Sequence, residues 1–125
     1  MLRYGWNATA YQILNPGIAH WFSDSGDAVV GYARHSRVRV VAGAPVCAPE
    51  RLQAVVAEFA ADARRRGDRV CYFGACARLE ASMRADGAHG TVGLGAQPSW
   101  EPRRWGGIIE HRASLRAQLD RARNK

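Results

Sequence analysis

Between residues 37 and 73 the hydrophobic pattern changes period twice. Arg37-Val38-Arg39-Val40 alternates polar and apolar, the period of two expected of a half-buried strand. Gly43-Ala44-Pro45 interrupts it. Leu52, Val55, Val56, Phe59, Ala60 and Ala63 then recur at helical spacing and predict one apolar helix face. Pro49 stands in the first turn, with Glu50 beside it at the positive end of the helix dipole. Arg64, Arg65 and Arg66 crowd the negative end, and Gly67 supplies a left-handed cap. Val70-Cys71-Tyr72-Phe73 is a short apolar run, which predicts a strand covered on both faces. Strand, helix and strand make a βαβ unit, expected to be parallel with a right-handed crossover.

Upstream, short apolar stretches alternate with turn signals. Thr9 to Leu14 reads as a strand, Asn15-Pro16-Gly17 as a turn and Ile18 to Phe22 as a second strand. Ser23 to Asp27 is a polar hairpin loop, Ala28 to Ala33 a third strand, and His35-Ser36 turns into the strand at Arg37. Trp6, Trp21 and Phe22 are expected in the core. The predicted fold class is therefore α/β (α+β): an antiparallel meander followed by the βαβ unit, in one mixed sheet. Downstream, Ala77 to Ala85 reads as a helix and Asp86 to Gly90 as its end. Thr91 to Leu94 reads as a last strand, Gly95 to Pro102 as irregular and Gly106-Gly107 as a break. Ser114 to Lys125 is expected to be helical, with Ser114 as N-cap. Its Leu115 and Leu119 stripe is narrow, and an isolated helix of about a dozen residues is marginal. The expected organisation is a domain over residues 1–105 and a linker with a basic helix over 106–125, with more chain expected after Lys125.

Charge narrows the partners. The chain has 125 residues, 18 Lys and Arg against 11 Asp and Glu, and a net charge of +7. Nearly all the cations are arginine; Lys125 is the lone lysine. That balance favours nucleic acid, phosphorylated ligands or an anionic membrane surface. Three cysteines, an odd number, argue against a disulfide framework and point to reduced thiols. Cys71 and Cys76 lie at no zinc spacing, so no metal site is expected. No apolar run approaches a bilayer span, and no signal-peptide core precedes residue 30.

The candidate chemistry lies in two places. The turn from Gly43 to Pro49 precedes a helix N-terminus, where unpaired N–H groups attract anions; it reads either as an anion cradle through Gly43 and Pro45 or as a tight connection. Arg103, Arg104, Arg112, Arg116, Arg121, Arg123 and Lys125 cluster near Trp100 and Trp105. They read as phosphate-binding forks with stacking rings, or equally as a solvated basic face. His20, His35, His89 and His111 titrate in the right range for proton transfer, but none stands at triad spacing. Cys47 at the turn reads as a buried filler rather than a thiolate, and Asp24 with Asp27 as a solvated loop. No catalytic constellation emerges.

The order of elements resembles N-acetyltransferase-like folds, and the residues resemble one family more closely. Gly43-Ala44-Pro45-Val46-Cys47 stands where the phosphatidylglycerol lysyltransferase C-terminal domain family has a G-D-P-x-G turn. Phe59, Gly67 and Val70 to Phe73 match the helix and strand after it. Gly93 to Trp100 looks like that family's last strand and exit, and Ser114 to Lys125 like the helix joining its two acetyltransferase-like halves. Asn7-Ala8-Thr9 to Pro16-Gly17 also fits the family's N-terminal segment. Ala44 and Cys47 depart from the turn pattern. The acetyltransferase run for coenzyme A, Arg/Gln-x-x-Gly-x-Gly, is absent, so a small acetyltransferase is the weakest of the alternatives.

The resemblance covers only the first half of the tandem domain. It implies transfer of an amino acid from aminoacyl-tRNA to an anionic phospholipid, with no cofactor, at the cytoplasmic side of a membrane. It also implies that the reaction centre depends mainly on the second half. The expectation is a scaffold and anionic-substrate binder that does not turn over alone; the other reading is a stand-alone basic module binding tRNA or membrane. Self-association through an exposed sheet edge is also expected.

Overall fold

The computed structural model of the chain describes residues 3–5, 8–75, 77–84, 87, 89–95 and 101–124. It divides into two compact units, Met1–Gly93 and Leu94–Lys125. The first unit is built on a four-stranded sheet in the order β1 (Ala19–Phe22), β2 (Val29–His35), β3 (Val38–Ala42), β4 (Arg69–Phe73). β1 and β2 pair antiparallel, as do β2 and β3, while β3 and β4 are parallel. The parallel pair is joined by α1 (Leu52–Arg65), so the meander and βαβ unit form one mixed sheet. α2 (Ala77–Arg84) follows β4.

α1 forms where its pattern predicts. Pro49 opens a 3-10 turn, Pro49–Arg51, that runs into the helix. Leu52, Val55, Val56, Phe59 and Ala63 are buried, with Ala60 at the edge of that face. Gly67 takes φ +70° after the last turn, and the Asp68 amide bonds to the Ala63 carbonyl, closing the C-terminus. This face packs on Val30 and Val41 of the sheet and on Leu79 and Met83 of α2. Trp21 and Tyr32 meet Phe59 at ring separations of 5.4 and 5.5 Å, edge-on and tilted.

The opposite sheet face is covered by a 3-10 helix at Ala8–Leu14. Thr9 to Leu14 is therefore not a strand. Ala10 and Ile13, three residues apart, are the buried positions, and Tyr11 and Leu14 are exposed, which is a helical and not an alternating pattern. Ile13 approaches β2 so closely that a Cβ on Gly31 would lie 2.5 Å from it. Glycine is what lets this segment lie against the sheet.

Strand phase differs from the sequence reading in β3 and β4. In β3 the buried positions are Arg39 and Val41, while Val40 is 37% exposed. The alternation is right and the inward side is reversed. β4 is covered on one face only: Val70 and Tyr72 turn to the core, whereas Cys71 and Phe73 are exposed. Phe22, expected in the core, is 62% exposed, while Trp21 packs inward.

Arg39 is inward because carboxylates meet it there. Its Nη1 donates to Asp62 of α1 at 2.7 Å and its Nε to Asp68 at 2.9 Å. The guanidinium also lies 5.1 Å from the Tyr32 ring centroid and 5.3 Å from that of Phe59. Arg34 of β2 closes the group with a two-pronged bond to Asp68, at 2.8 to 3.0 Å. Every carboxylate here accepts charged donors, which offsets the desolvation that would otherwise exclude them.

The second unit holds a 3-10 turn at Pro102–Arg104, α3 (Trp105–Glu110) and α4 (Ala113–Arg123). Three sequence expectations change here. Thr91 to Leu94, at the junction, pairs with no strand, and Val92 and Leu94 are 80% and 72% exposed. Gly106 and Gly107 do not break the chain; they lie inside α3, at roughly 1 kcal/mol each relative to alanine. Ser114 is not the N-cap, because α4 starts at Ala113 and Arg112 holds the cap position with extended backbone. Asn7, Trp6, Cys76, Ala85, Asp86, Ala88, Ala96 to Trp100 and Lys125 lie outside the described residues.

Two outcomes follow from the buried ion network. Arg39→Leu removes the buried donor shared by Asp62 and Asp68, leaving them only the exposed Arg65, Arg66 and Arg34, and lowers unfolding stability by about 3 kcal/mol, measured by urea titration at neutral pH. The hydrogen bonds from Arg34, and then those from Arg39, hold Asp68 down to about 2, against the opposing effect of burial. A folded-state value below the unfolded one stabilises the fold above about pH 4 and is lost as pH falls toward 2. Urea midpoints therefore drop between pH 5 and pH 2, and less steeply in Asp68→Asn; equal acid slopes in both proteins would refute the assignment.

Candidate functional site

The second unit gathers the basic cluster by helical spacing. Arg103, Gly107 and His111 stand four residues apart, and so do Arg104, Ile108 and Arg112. Pro102 opens the turn that carries the two arginines directly into α3, so both series fall on adjacent rows of one helical surface. These six residues line a shallow concavity of about 670 Å³. Gly107 has no side chain, which leaves room between Arg103 and His111. None of the described lining residues is acidic.

His111 is held in place. Its Nδ1–H donates to the Gly107 carbonyl at 2.7 Å, which puts a proton on Nδ1. Arg116 turns back to cap the end of α3, donating to the carbonyls of Ile109, at 3.2 Å, and Glu110. Arg121 donates to its own helix at Ala117, and Arg123 is exposed in the last turn of α4. Of the predicted set, the structure brings Arg103, Arg104 and Arg112 together and leaves Arg116, Arg121 and Arg123 outside the concavity. Guanidinium forks in this arrangement suit phosphate oxygens, through charge-assisted bonds that salt weakens. Gly107 and Ile108 were absent from the sequence-derived set, and His111 was weighed only for proton transfer, apart from the arginines. Reading the glycine pair as a break hid the four-residue spacing that connects them to the arginines.

The turn after β3 behaves differently from the expected anion cradle. Gly43 has φ +78°, and a Cβ there would lie 2.9 Å from Thr9. Its amide bonds to the Phe73 carbonyl at 2.8 Å, tying the turn to β4. Pro45 is buried and has no amide hydrogen, and Val46 pairs with Val29 in a small bridge. Gly43 and Pro45 therefore shape the connection and present no N–H to a ligand. Cys47 is 1% exposed; burial raises its thiol above the ordinary value, and the nearby Arg78 charge only partly opposes this. A neutral, packed thiol is a filler.

The remaining candidates resolve as structural or surface groups. His20 bonds through Nε2 to the Ile13 carbonyl at 2.7 Å, and His35 is exposed. Asp27 accepts bonds from Ser25, Ser23 and Arg51, which hold it at about 2, and Asp24 is exposed. Among the described residues no group of acids, histidines or cysteines could hold a metal ion. No described helix is long and apolar enough to cross a membrane.

A mixed four-stranded sheet backed by a crossover helix, with a separate arginine-rich helical unit, defines an acetyltransferase-like domain with a basic surface. The sequence profile of the family "Phosphatidylglycerol lysyltransferase, C-terminal" matches residues 1–124, and the chain belongs to that family. No curated protein matches the chain. Among solved structures it is similar to L-PGS from Bacillus licheniformis, with 22% identity and a TM-score of 0.62 over 69% of this chain. It is also similar to the C-terminal domain (DUF2156) described as belonging to a lysylphosphatidylglycerol synthetase from Agrobacterium fabrum, with 25% identity and a TM-score of 0.58 over 65% of this chain. The chain spans 26% of the length of each of those two structures.

The thiol environments predict a clear contrast. Under native conditions iodoacetamide modifies exposed Cys71 at least about tenfold faster than Cys47, and denaturant removes the difference. Peptide mass spectrometry after timed quenching reads both; equal native rates would show that Cys47 is not a packed filler.

Proposed function

We propose that this chain is the N-terminal part of an aminoacyl-tRNA-dependent phosphatidylglycerol aminoacyltransferase domain, and that it supplies scaffold and anionic-substrate binding. The reaction in that reading is an ester exchange. A hydroxyl of the phospholipid headgroup attacks the aminoacyl ester carbon, the tRNA ribose hydroxyl leaves, and one proton passes from acceptor to leaving group. Such chemistry depends on positioning two polyanionic substrates and on stabilising the oxyanion. The observation that carries the reading is the family match over residues 1–124, in a chain whose second unit presents Arg103, Arg104 and Arg112 around one concavity.

Both substrates carry phosphodiesters, and a guanidinium cluster serves either. The matched part of this chain covers about a quarter of each neighbouring structure, which supports placing the reacting centre largely in the remainder of the domain. In this reading the protein works peripherally at the cytoplasmic face of a membrane, and its natural partner is a second acetyltransferase-like half.

The test is binding across a salt series, with labelled tRNA and with phosphatidylglycerol vesicles as separate probes. Binding weakens steeply between 50 and 200 mM salt, as expected for counterion release. With tRNA, Arg103→Gln/Arg104→Gln/Arg112→Gln lowers the slope of log K against log salt by about 2–3. Salt-independent binding, or an unchanged slope in the triple variant, would remove the concavity from the mechanism. Lysine transfer from charged tRNA to lipid by the chain alone would overturn its assignment as a non-catalytic part.

A further inference from the structure

We infer that the first unit carries its own anion site, a small cavity between Arg3 and Arg78 that takes a phosphoryl group. The cavity has a volume of about 210 Å³ and is lined by Arg3, Tyr4, Gly5, Cys47, Pro49 and Arg78. Three segments far apart in the chain meet there: the lead-in at 3–5, the turn between β3 and α1, and the first turns of α2. Both charged residues lining it are arginines, and no described lining residue is acidic.

The groups are arranged for an anion. The Arg3 guanidinium lies 5.2 Å from the Tyr4 ring centroid, a stacking that restrains an otherwise exposed side chain. Arg78 is half-buried on α2, and its charge reaches far enough in to favour the thiolate of Cys47, although burial prevails there. Pro49 opens the turn that runs into α1, and no side chain caps this end; the partial positive charge of the helix adds to the two guanidiniums, offset in part by Glu50 in the same turn. The cavity holds the equivalent of about seven waters at roughly 30 Å³ each. It is smaller than the roughly 300–1,000 Å³ of sites for drug-sized ligands. That size fits a phosphoryl group, free or on a headgroup-sized fragment.

This site shares no residue with the concavity of the second unit, so the two can fail separately. Amide spectra of the full chain are recorded during titration with inorganic phosphate and, separately, glycerol 3-phosphate, at constant ionic strength. The expected result is saturable shifts at Tyr4, Gly5, Cys47 and Arg78, with affinity at least tenfold weaker in Arg3→Gln and in Arg78→Gln. At those four residues Arg103→Gln/Arg104→Gln responds as the parent does, whatever it loses at the concavity of the second unit. Tighter binding of glycerol 3-phosphate assigns the site to a headgroup phosphate, and equal binding to phosphate itself. If Arg78→Gln fails to fold, Arg3→Gln still decides, because Arg3 is an exposed side chain of the lead-in. Shifts that do not saturate, or that persist unchanged in Arg3→Gln, overturn the inference.

Discussion

A buried arginine organises the first unit. Arg39 points into the core from the middle of β3 and is held by Asp62 from α1 and by Asp68 just before β4. These are the three elements of the βαβ crossover. A hydrophobic residue at position 39 would pack there as well, yet it would leave Asp62 and Asp68 facing an apolar surface on their buried side, with only the exposed Arg65, Arg66 and Arg34 as donors. The network therefore fixes the inward phase of β3. With Arg39 and Val41 turned inward, Val38 and Val40 fall on the other face, and Cys71 and Phe73 follow in β4 because the two strands pair in register.

That phase has consequences for the whole sheet. One face receives α1 and α2 and forms a continuous core around Phe59. Among the described residues of this unit, the other receives the 3-10 helix over Gly31, and Val40 and Phe73 are exposed. The glycines at 31 and 43 permit close approach of that segment, one under Ile13 and one beside Thr9. A turn that sequence reasoning places at an anion site is thereby made into a joint between strands. The chemistry available to ligands shifts to the turn's last residues and to the arginines that reach them.

Both anion-directed features use arginine, and both arise where helices begin or end. In the second unit two rows at four-residue spacing collect guanidiniums around a glycine. In the first, arginines from two distant segments meet at the start of α1. Forked donors distinguish phosphate oxygens by geometry as well as by charge, which a lysine in the same place would not. The proposed division of labour, with substrate binding here and bond exchange elsewhere in a longer domain, follows from these positions and from the quarter-length correspondence with the neighbouring structures.

Local signals were sufficient for much of this. The period-3.6 face from Leu52 to Ala63, Pro49 before it and Gly67 after it define α1, because helix propensity, capping and amphipathicity all act within a few residues. The strands at Ala19 and Val29, the parallel crossover and the mixed sheet were legible for the same reason. So were the family turn at Gly43 and the basic charge of the tail. What sequence did not contain was the side each residue faces. Alternation along β3 is unchanged when the inward side is exchanged, and only Asp62 and Asp68, more than twenty residues away, decide it. The segment at Thr9 has strand-like composition, yet it covers Gly31 as a 3-10 helix. Tertiary structure alone joined Arg3 with Arg78, because nothing local links residues 75 positions apart in the chain. Periodicity specifies elements; burial, charge pairing and the approach of distant segments specify which faces meet and where a ligand can bind.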